Sequence, residues 1–296
     1  MILAYGEDRL YEPLLDQLRV GALRPEQIVL VHNPSLPDAA PLEPPHDISV
    51  IEMHRNDGYA GGMNAGIRDR LARACSHLLL LTHDTRFHEQ GLELLLSAST
   101  SDYGIVGPAI CWDAEVTCYG GDFASSGAAR FRTSPPAATK GGIADCEWVD
   151  GSAVLIRREV IETAGGFDEG FFMYFEEMEL CRRAAQAGWK IGVVPAAVAE
   201  QDHGYLHRPQ LYAYLMTRNG LEFARRKAGW RGVLSALFQT AAGSVQPARA
   251  VAGPTSDPKS RRIALGRLVA TARGIAAFGA RQFGPPPASY FAVTGK

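Results

Sequence analysis

Short apolar runs alternate with amphipathic segments along the first 110 residues of this chain. The runs at 28–31 and 78–81 consist only of Leu, Ile and Val, and the segment at 10–20 places leucines at helical spacing. Strands that are apolar on both faces are typical of a sheet covered by helices on both sides. We therefore predict an α/β fold with a mostly parallel sheet flanked by helices.

The predicted strands and helices follow from this alternation and from turn residues. Helix 65–75 is predicted to begin after an N-cap at Asn64, and Gly188 is predicted to end the helix that precedes it. The predicted strands are 2–5, 28–31, 48–53, 78–81, 103–110, 154–156 and 191–194. The predicted helices are 10–20, 65–75, 91–97, 158–164 and 176–187.

Two regions depart from the alternation. Residues 111–150 are rich in Gly, Ser, Pro and Ala, which favours a small antiparallel or loop insertion. Near the C-terminus we predict a loop around 247–258 and then a basic helix at 263–281. The apolar face predicted for this helix consists of Leu265, Leu268, Val269, Ala272 and Ala276. We expect a domain at 1–230, with halves at 1–110 and 111–230, and a basic helical extension at 231–296.

The charge is unevenly distributed. From residue 205 onward the chain has fourteen Lys/Arg and two Asp/Glu, while the remainder is acidic. Such a basic region favours anionic surfaces, so the last helix either packs on the body with its arginines in water or touches an anionic membrane surface. No groove-reading motif accompanies the charge, and we expect no nucleic-acid partner. Five cysteines without a C-x-x-C pair, together with the lack of a leader, favour a cytoplasmic protein, peripheral at the inner face of the membrane.

Glu176 and Glu177 open a predicted helix directly after the bulky segment 171–175. Burial and mutual repulsion raise the pKa of such carboxyls toward neutrality, which suits a general base. The alternative is that they complement the helix dipole as first-turn acids. Glu179 is spaced to pair with Arg182 or Arg183.

Asp84 follows an apolar strand, at the sheet edge where ligands of α/β proteins gather. Its carboxylate suits a divalent cation, but taken alone Asp84 is better interpreted as a turn or cap residue before Thr85. His203 follows a later strand and is a candidate second ligand, or else a surface histidine. His207 competes for that role.

The turn at 55–66 follows a strand and opens a helix. Its asparagines and glycines, among them Asn56, Gly58, Gly62 and Asn64, allow close approach of a ligand to the backbone near a helix N-terminus. A tight structural turn fits equally well. The spacing matches neither a dinucleotide fingerprint nor a P-loop.

In this order, the segments 28–35, 56–66, 78–85, 150–169 and 176–182 resemble the family 2 inverting glycosyltransferases. These have the GT-A fold, a Rossmann-like α/β architecture, and the rhamnosyltransferase-like branch is the most similar. The resemblance runs from residue 1 to about residue 227. Five segments in sequence are specific to the family, though not to a substrate.

The resemblance implies transfer of a sugar from a nucleotide-diphosphate donor to an acceptor hydroxyl by direct displacement. Glu177 would be the base, with Glu176 as partner or substitute, and Mg²⁺ or Mn²⁺ would be held by Asp84 and His203. The acceptor would be a glycan, a lipid-linked sugar or a small molecule, in cell-surface polysaccharide, glycolipid or natural-product glycosylation. Expected donor contacts are Tyr5, His32, Asn33, Asn56, Gly58, Gly62, Asn64, His83 and Asp84. Expected acceptor-side residues are Trp148, Asp150, Gly151 and Arg182.

The chain departs from the family pattern at three positions. Thr82 stands where a first acid is usual, which puts the strength of metal binding in doubt. His32 stands where an acid often contacts the nucleotide base, and the acid pair is Glu-Glu where the second member is commonly Asp.

Two other classes of protein remain open at this stage. One is a nucleotidyltransferase or a sugar-nucleotide hydrolase, against which the short acidic loop at 6–9 counts. The other is a non-catalytic relative that binds a glycan or an assembly partner.

Overall fold

The computed structural model describes residues 1–6, 10–20, 23–35, 46–72, 75–100, 102–112, 115–137, 142–201, 208–252 and 257–291. The chain forms two compact units. The first unit comprises Met1–Asp122, Arg130–Glu169 and Glu176–Asp202, and the second comprises Phe123–Ala129, Gly170–Phe175 and His203–Lys296. The predicted domain boundary at residue 230 stays a prediction.

Twelve strands are present in the described part of the chain. They are β1 (Ile2–Tyr5), β2 (Val29–Asn33), β3 (Ser49–Glu52), β4 (His77–Thr82), β5 (Arg86–Phe87), β6 (Tyr103–Trp112), β7 (Glu115–Cys118), β8 (Gly121–Phe123), β9 (Ala129–Phe131), β10 (Ala144–Asp145), β11 (Ala153–Arg157) and β12 (Lys190–Glu200). The α-helices are α1 (Glu12–Val20), α2 (Gly58–Ala72), α3 (Gly91–Ser97), α4 (Arg158–Ala164), α5 (Glu176–Gln186), α6 (Pro209–Ala252) and α7 (Pro258–Gly279).

The first unit is built on one large sheet with the order β10-β12-β6-β11-β4-β1-β2-β3. The strands β3, β2, β1 and β4 are parallel to one another. Strand β11 lies antiparallel between β4 and β6, and β12 runs parallel to β6. This is the predicted α/β class, and in this strand order only β11 and β10 run against the direction of the others.

Helix α2 begins at Gly58, seven residues earlier than predicted, so that Asn64 lies inside the helix and is not its N-cap. Gly58 has φ +73°, a conformation that glycine adopts without strain. At Gly62 a Cβ atom would collide with the side chain of Leu3. The glycines therefore let α2 approach the sheet closely, which apolar periodicity alone did not predict.

The insertion predicted at 111–150 is present as short antiparallel strands. Strand β7 pairs antiparallel with β6, β10 pairs antiparallel with β12, and β8 and β9 form a separate two-stranded sheet. The many small residues of this region suit tight connections between such strands.

The second unit contains α6 and α7. Non-helical backbone at Ala228 and Gly229 divides α6, and we call residues 209–227 its first segment and 230–252 its second segment. The predicted loop at 247–258 is wrong in its first part, because the helix continues through Pro247 to Ala252. Helix α7 is capped by Asp257, whose carboxylate accepts hydrogen bonds from the backbone N–H groups of Lys259 (2.8 Å) and Ser260 (3.0 Å).

The apolar face predicted for α7 is not the face that the structure buries. Leu265 is 52% exposed and Val269 is 43% exposed. The buried positions are instead the small residues Ala264, Ala270, Gly274 and Ala277. At Gly274 a Cβ atom would lie 2.7 Å from the carbonyl oxygen of Tyr214. Close packing against α6 therefore selects small side chains, and larger apolar residues of α7 such as Leu265 and Val269 face outward.

Candidate active site

Glu176 and Glu177 occupy the first turn of α5 in different environments. Glu176 is 3% exposed, whereas Glu177 is half-buried. Burial raises the pKa of Glu176 well above its usual range, and the neighbouring Glu177 and Asp150 carboxylates raise it further. Among the described residues, Glu176 Oε2 has no hydrogen-bond partner. The pair thus combines a carboxyl that favours its protonated form with a more accessible carboxyl.

Asp150 is the third acid of this group. Its Oδ1 accepts hydrogen bonds from the backbone N–H (2.9 Å) and the hydroxyl (2.5 Å) of Ser152. Burial raises the pKa of Asp150, the bonds from Ser152 oppose that rise, and the Asp84 carboxylate adds to it. Asp150 is therefore a neighbour of Asp84 as well as of Glu176, and the acids come from three separate parts of the chain.

Tyr59 belongs to the same group, although the sequence analysis did not single it out. Its hydroxyl donates a 2.5 Å hydrogen bond to the carbonyl oxygen of Gly151, and its ring packs edge-on against Phe167. Burial, followed by the charges of Glu176, Glu177 and Asp150, raises the pKa of Tyr59 well above its usual range. The one signal in the sequence was an aromatic residue within the turn predicted to bind a ligand.

The end of β4 is tied to the start of β11. The backbone N–H of Thr82 donates to the carbonyl oxygen of Ser152 (2.9 Å), and the hydroxyl of Thr85 donates to the same oxygen (2.9 Å). The hydroxyls of Thr82 and Thr85 are 3.0 Å apart. Thr82, which replaces the usual acid, thus helps to anchor the turn that carries His83 and Asp84.

Asp84 has the features expected of a cation ligand. Its Oδ1 is buried and, within the described part of the chain, accepts no hydrogen bond. A carboxylate oxygen left in this way beside a second carboxylate suits a hard divalent cation. His203 and its competitor His207 lie outside the described residues, and among the described residues, Asp84 and Asp150 included, no three His, Cys, Asp or Glu side chains gather as a metal-binding group. The residues present fit a cation held through Asp84, whose charge also contributes to the raised pKa of Asp150.

The predicted donor residues at the ends of β1 and β2 lie next to the turn before α2. Tyr5 pairs with Asn33 in the sheet register. The Asn33 amide donates to Asn56 (3.1 Å) and to the carbonyl oxygen of Gly58 (3.0 Å), and its oxygen accepts from the N–H of Asp57 (3.1 Å). These bonds shape the turn at the carboxyl end of the sheet.

The other predicted donor residues have partners within the protein. The ring nitrogens of His32 face Glu52 (2.6 Å) and the carbonyl oxygen of Gly6 (3.0 Å). His83 Nδ1 lies 3.3 Å from the carbonyl oxygen of Leu3. Each ring is thereby oriented by a neighbouring strand or loop.

Gly62 and Asn64 face away from the turn. Gly62 packs against β1, and the Asn64 side chain bonds with the backbone N–H and carbonyl of Phe167 and with Glu169, each at 2.9 Å. These contacts show that both residues help to pack α2, and their role in donor binding stays a prediction.

On the predicted acceptor side, Trp148 is 1% exposed, and its indole N–H donates to the carbonyl oxygen of Asp122 (3.3 Å). Gly151 carries the carbonyl that Tyr59 binds. Arg182 donates to Glu179 (2.8 Å) and Gln186 (2.8 Å). Glu179 also binds Arg183, as expected, so that Arg182 belongs to an ion-pair cluster on α5.

The chain resembles known glycosyltransferases in sequence. It is 30% identical over 172 residues to a low-salt glycan biosynthesis hexosyltransferase, Agl10, of Haloferax volcanii, covering 56% of this chain and 55% of that protein. It is 46% identical over 50 residues to N-acetylglucosaminyl-diphospho-decaprenol L-rhamnosyltransferase of Mycobacterium tuberculosis, covering 17% of this chain and 16% of that protein. The chain thus matches about half the length of the first relative and a smaller part of the second.

Two solved structures share the fold. One is the mannosyltransferase PcManGT from Pyrobaculum calidifontis in complex with GDP-Man and Mn²⁺, with a TM-score of 0.54 and 12% identity, covering 95% of this chain and 87% of that one. The other is GalNAc-T7 with UDP, GalNAc and Mn²⁺, with a TM-score of 0.52 and 13% identity, covering 100% of this chain and 58% of that one. Both are GT-A glycosyltransferases, so the predicted fold is confirmed.

Residues 1–221 match the family described as glycosyltransferase like family 2. The match covers all twelve described strands and the four acids of the candidate site, Asp84, Asp150, Glu176 and Glu177. This chain therefore belongs to glycosyltransferase family 2.

Proposed function

We propose that the chain transfers a hexosyl or deoxyhexosyl group from a nucleotide-diphosphate sugar to an acceptor hydroxyl, with inversion at the anomeric carbon. The observation that carries this proposal is the acid group of the first unit, in which Glu177 is half-buried beside the fully buried Glu176. Neighbouring carboxyls whose environments differ in this way commonly divide the acid and base roles between them.

Glu177 is the proposed base. Burial raises the pKa of Glu176 and favours the protonated form of that carboxyl, while Glu177 is the more accessible of the two. The acceptor hydroxyl gives its proton to Glu177 as its oxygen forms a bond to the anomeric carbon. The bond from that carbon to the diphosphate oxygen breaks, and its electron pair leaves with the diphosphate. A positioned base of this kind contributes about 10²–10⁴ in rate.

Asp84 is the proposed ligand of Mg²⁺ or Mn²⁺, supported by its unpaired buried oxygen. When bound, such a cation offsets the negative charge that develops on a leaving diphosphate. Thr82 holds the turn on which Asp84 lies, through the carbonyl of Ser152. His203 remains the proposed second ligand.

For the substrates, we propose donor binding along the carboxyl ends of β1 and β2, near Tyr5, His32, Asn33, Asn56 and Gly58, and beside His83. The acceptor would lie near Trp148, Asp150 and Gly151, and Arg182 would act through Glu179. The name of the mycobacterial relative favours a lipid-linked sugar acceptor. Residues 1–110 and 111–230 would then serve the donor and the acceptor respectively, with a basic extension at 231–296.

The test is a thermal-shift screen of nucleotide sugars with and without Mn²⁺, followed by transfer assays with the stabilising donor. A ligand raises the melting temperature of the state to which it binds. Stabilisation by a nucleotide sugar, and inverted product from it, support the proposal. Stabilisation by a nucleoside triphosphate, with pyrophosphate release from a sugar phosphate, would support a nucleotidyltransferase, and no nucleotide binding would leave the non-catalytic alternative.

A further inference from the structure

The second segment of α6 exposes three large apolar side chains on one face. Trp230 is 69% exposed, Leu234 is 67% exposed and Phe238 is 77% exposed. Their spacing of four residues aligns them on a helix, and we call them the apolar stripe. Single exposed apolar residues are ordinary, but an aligned group of this size indicates an interaction surface.

The stretch of sequence that contains the stripe is basic. Between residues 230 and 279 the sequence has one acid, Asp257, which caps α7. The same stretch contains seven cationic residues, namely Arg231, Arg249, Lys259, Arg261, Arg262, Arg267 and Arg273. An apolar face together with many arginines is typical of a helix that lies in a membrane interface.

We propose that the second segment of α6 lies on a bilayer that contains anionic phospholipids. Trp230, Leu234 and Phe238 enter the boundary between head groups and acyl chains, and the cations of α6 and α7 face the lipid phosphates. In the described residues no helix has the length and hydrophobicity to cross a membrane. This inference does not depend on the proposed sugar transfer.

The charge of this surface distinguishes a bilayer from a second copy of the chain. A symmetric dimer would place the same surface against itself, and so would bring together two copies of a region that has seven cations and one acid in its sequence. Anionic head groups provide the opposite charge over a wide plane, at about 1 kcal/mol for each Lys or Arg near the surface. The exposed Trp also suits the interface, where its ring contacts both apolar chains and polar head groups.

The experiment is sedimentation of the full chain with vesicles of phosphatidylcholine, alone or mixed with phosphatidylglycerol. We expect binding to the mixed vesicles that weakens as salt is added. The double variant Leu234→Ser/Phe238→Ser should bind about 100-fold more weakly, because two apolar side chains no longer enter the bilayer. The matched control Leu10→Ser/Val20→Ser, which removes residues 48% and 91% exposed in the first unit, should bind as the wild type does.

The charge is tested by Arg231→Gln/Arg249→Gln/Arg267→Gln, which should weaken binding to the mixed vesicles about 100-fold. Brominated acyl chains should quench the wild-type tryptophan fluorescence, and Trp230→Phe should lose most of that quenching. Circular dichroism confirms that each variant is folded. The proposal fails if the wild type does not sediment with mixed vesicles, or if the stripe variant matches the control. A wild-type dimer in light scattering that the stripe variant abolishes would assign the surface to a second copy instead.

Discussion

The hydroxyl of Tyr59 donates a 2.5 Å hydrogen bond to the carbonyl oxygen of Gly151, a residue 92 positions away in the sequence. The bond joins the first turn of α2 to the turn before β11. That turn carries Asp150, and Tyr59 itself has Glu176 and Glu177 as charged neighbours. This phenol therefore fixes the turn that carries Asp150 to α2, with both glutamates among its charged neighbours.

We predict that Tyr59→Phe lowers both stability and turnover. The substitution keeps the ring on Phe167 but leaves the Gly151 carbonyl without its donor, which costs about 1–3 kcal/mol. A small displacement of Asp150 and Gly151 would then reduce kcat more than it raises KM. Urea unfolding and steady-state kinetics measure the two effects, and wild-type values for both would show that the bond has no such role.

Glu177→Gln should reduce turnover by about 10²–10⁴ while donor binding is kept, since only the proton acceptor is lost. Glu176→Gln is the matched control, because glutamine resembles the protonated carboxyl that burial favours at that position. We expect it to retain most activity. Calorimetry with the donor and an initial-rate assay test both variants, and an equal loss in the two would contradict the assignment of the base to Glu177.

Stability should depend on pH through Glu176. Because the folded state raises the pKa of this carboxyl, its contribution is most favourable below the unfolded-state pKa and is lost as pH rises through the folded-state pKa. The variant Glu176→Gln has no titratable group at this position, so it does not lose stability in this way as pH rises. We therefore expect the variant to gain stability relative to the wild type as pH rises above the usual pKa of a glutamate, because the folded-state pKa of Glu176 is raised. Denaturant unfolding at several pH values tests it, and a constant difference would refute the coupling.

Asp84→Asn should weaken Mn²⁺ binding in the presence of the donor by about tenfold or more, because a charged hard ligand is lost. Electron paramagnetic resonance titration of free Mn²⁺ measures this without relying on activity. Asp102→Asn is the control, since Asp102 is an exposed acid paired with Lys190. Conversely, Thr82→Asp should strengthen cation binding. Equal Mn²⁺ affinities in all four proteins would remove Asp84 from the site.

Asn219 should stabilise the segment of the second unit that contains residues 170–175. Its amide nitrogen lies 2.8–2.9 Å from the carbonyl oxygens of Phe171, Met173 and Tyr174, and Phe172 and Tyr174 have positive φ values of 66° and 70°. Asn219→Ala should lower the free energy of unfolding by about 1–3 kcal/mol. Asn219→Asp should cost more, because a carboxylate repels these carbonyls. Calorimetric unfolding of both variants is the measurement, and unchanged stability would contradict this role.

Much of the fold was predictable because the responsible signals are local. The apolar runs predicted β2 and β4, helix α4 begins and ends where predicted, and Gly188 has the positive φ (93°) expected after α5. The acid pair was also recognisable, because two adjacent carboxyls after five bulky residues are visible in the sequence. The start of α2 was missed because glycines, which are poor helix formers in isolation, are used there for packing against the sheet.

The sequence by itself determined the α/β class, the order of the strands along the chain and the family, since periodicity and motif spacing are properties of neighbouring residues. Only the tertiary structure decided that Tyr59 binds Gly151, that Asp150 neighbours both Asp84 and Glu176, and that the small side chains of α7 are buried while its large ones are exposed. Those outcomes depend on which distant segments meet and how closely they pack. The burial that raises the pKa of Glu176 arises only when those segments come together. The exposure of the apolar stripe is likewise decided only by how the chain packs.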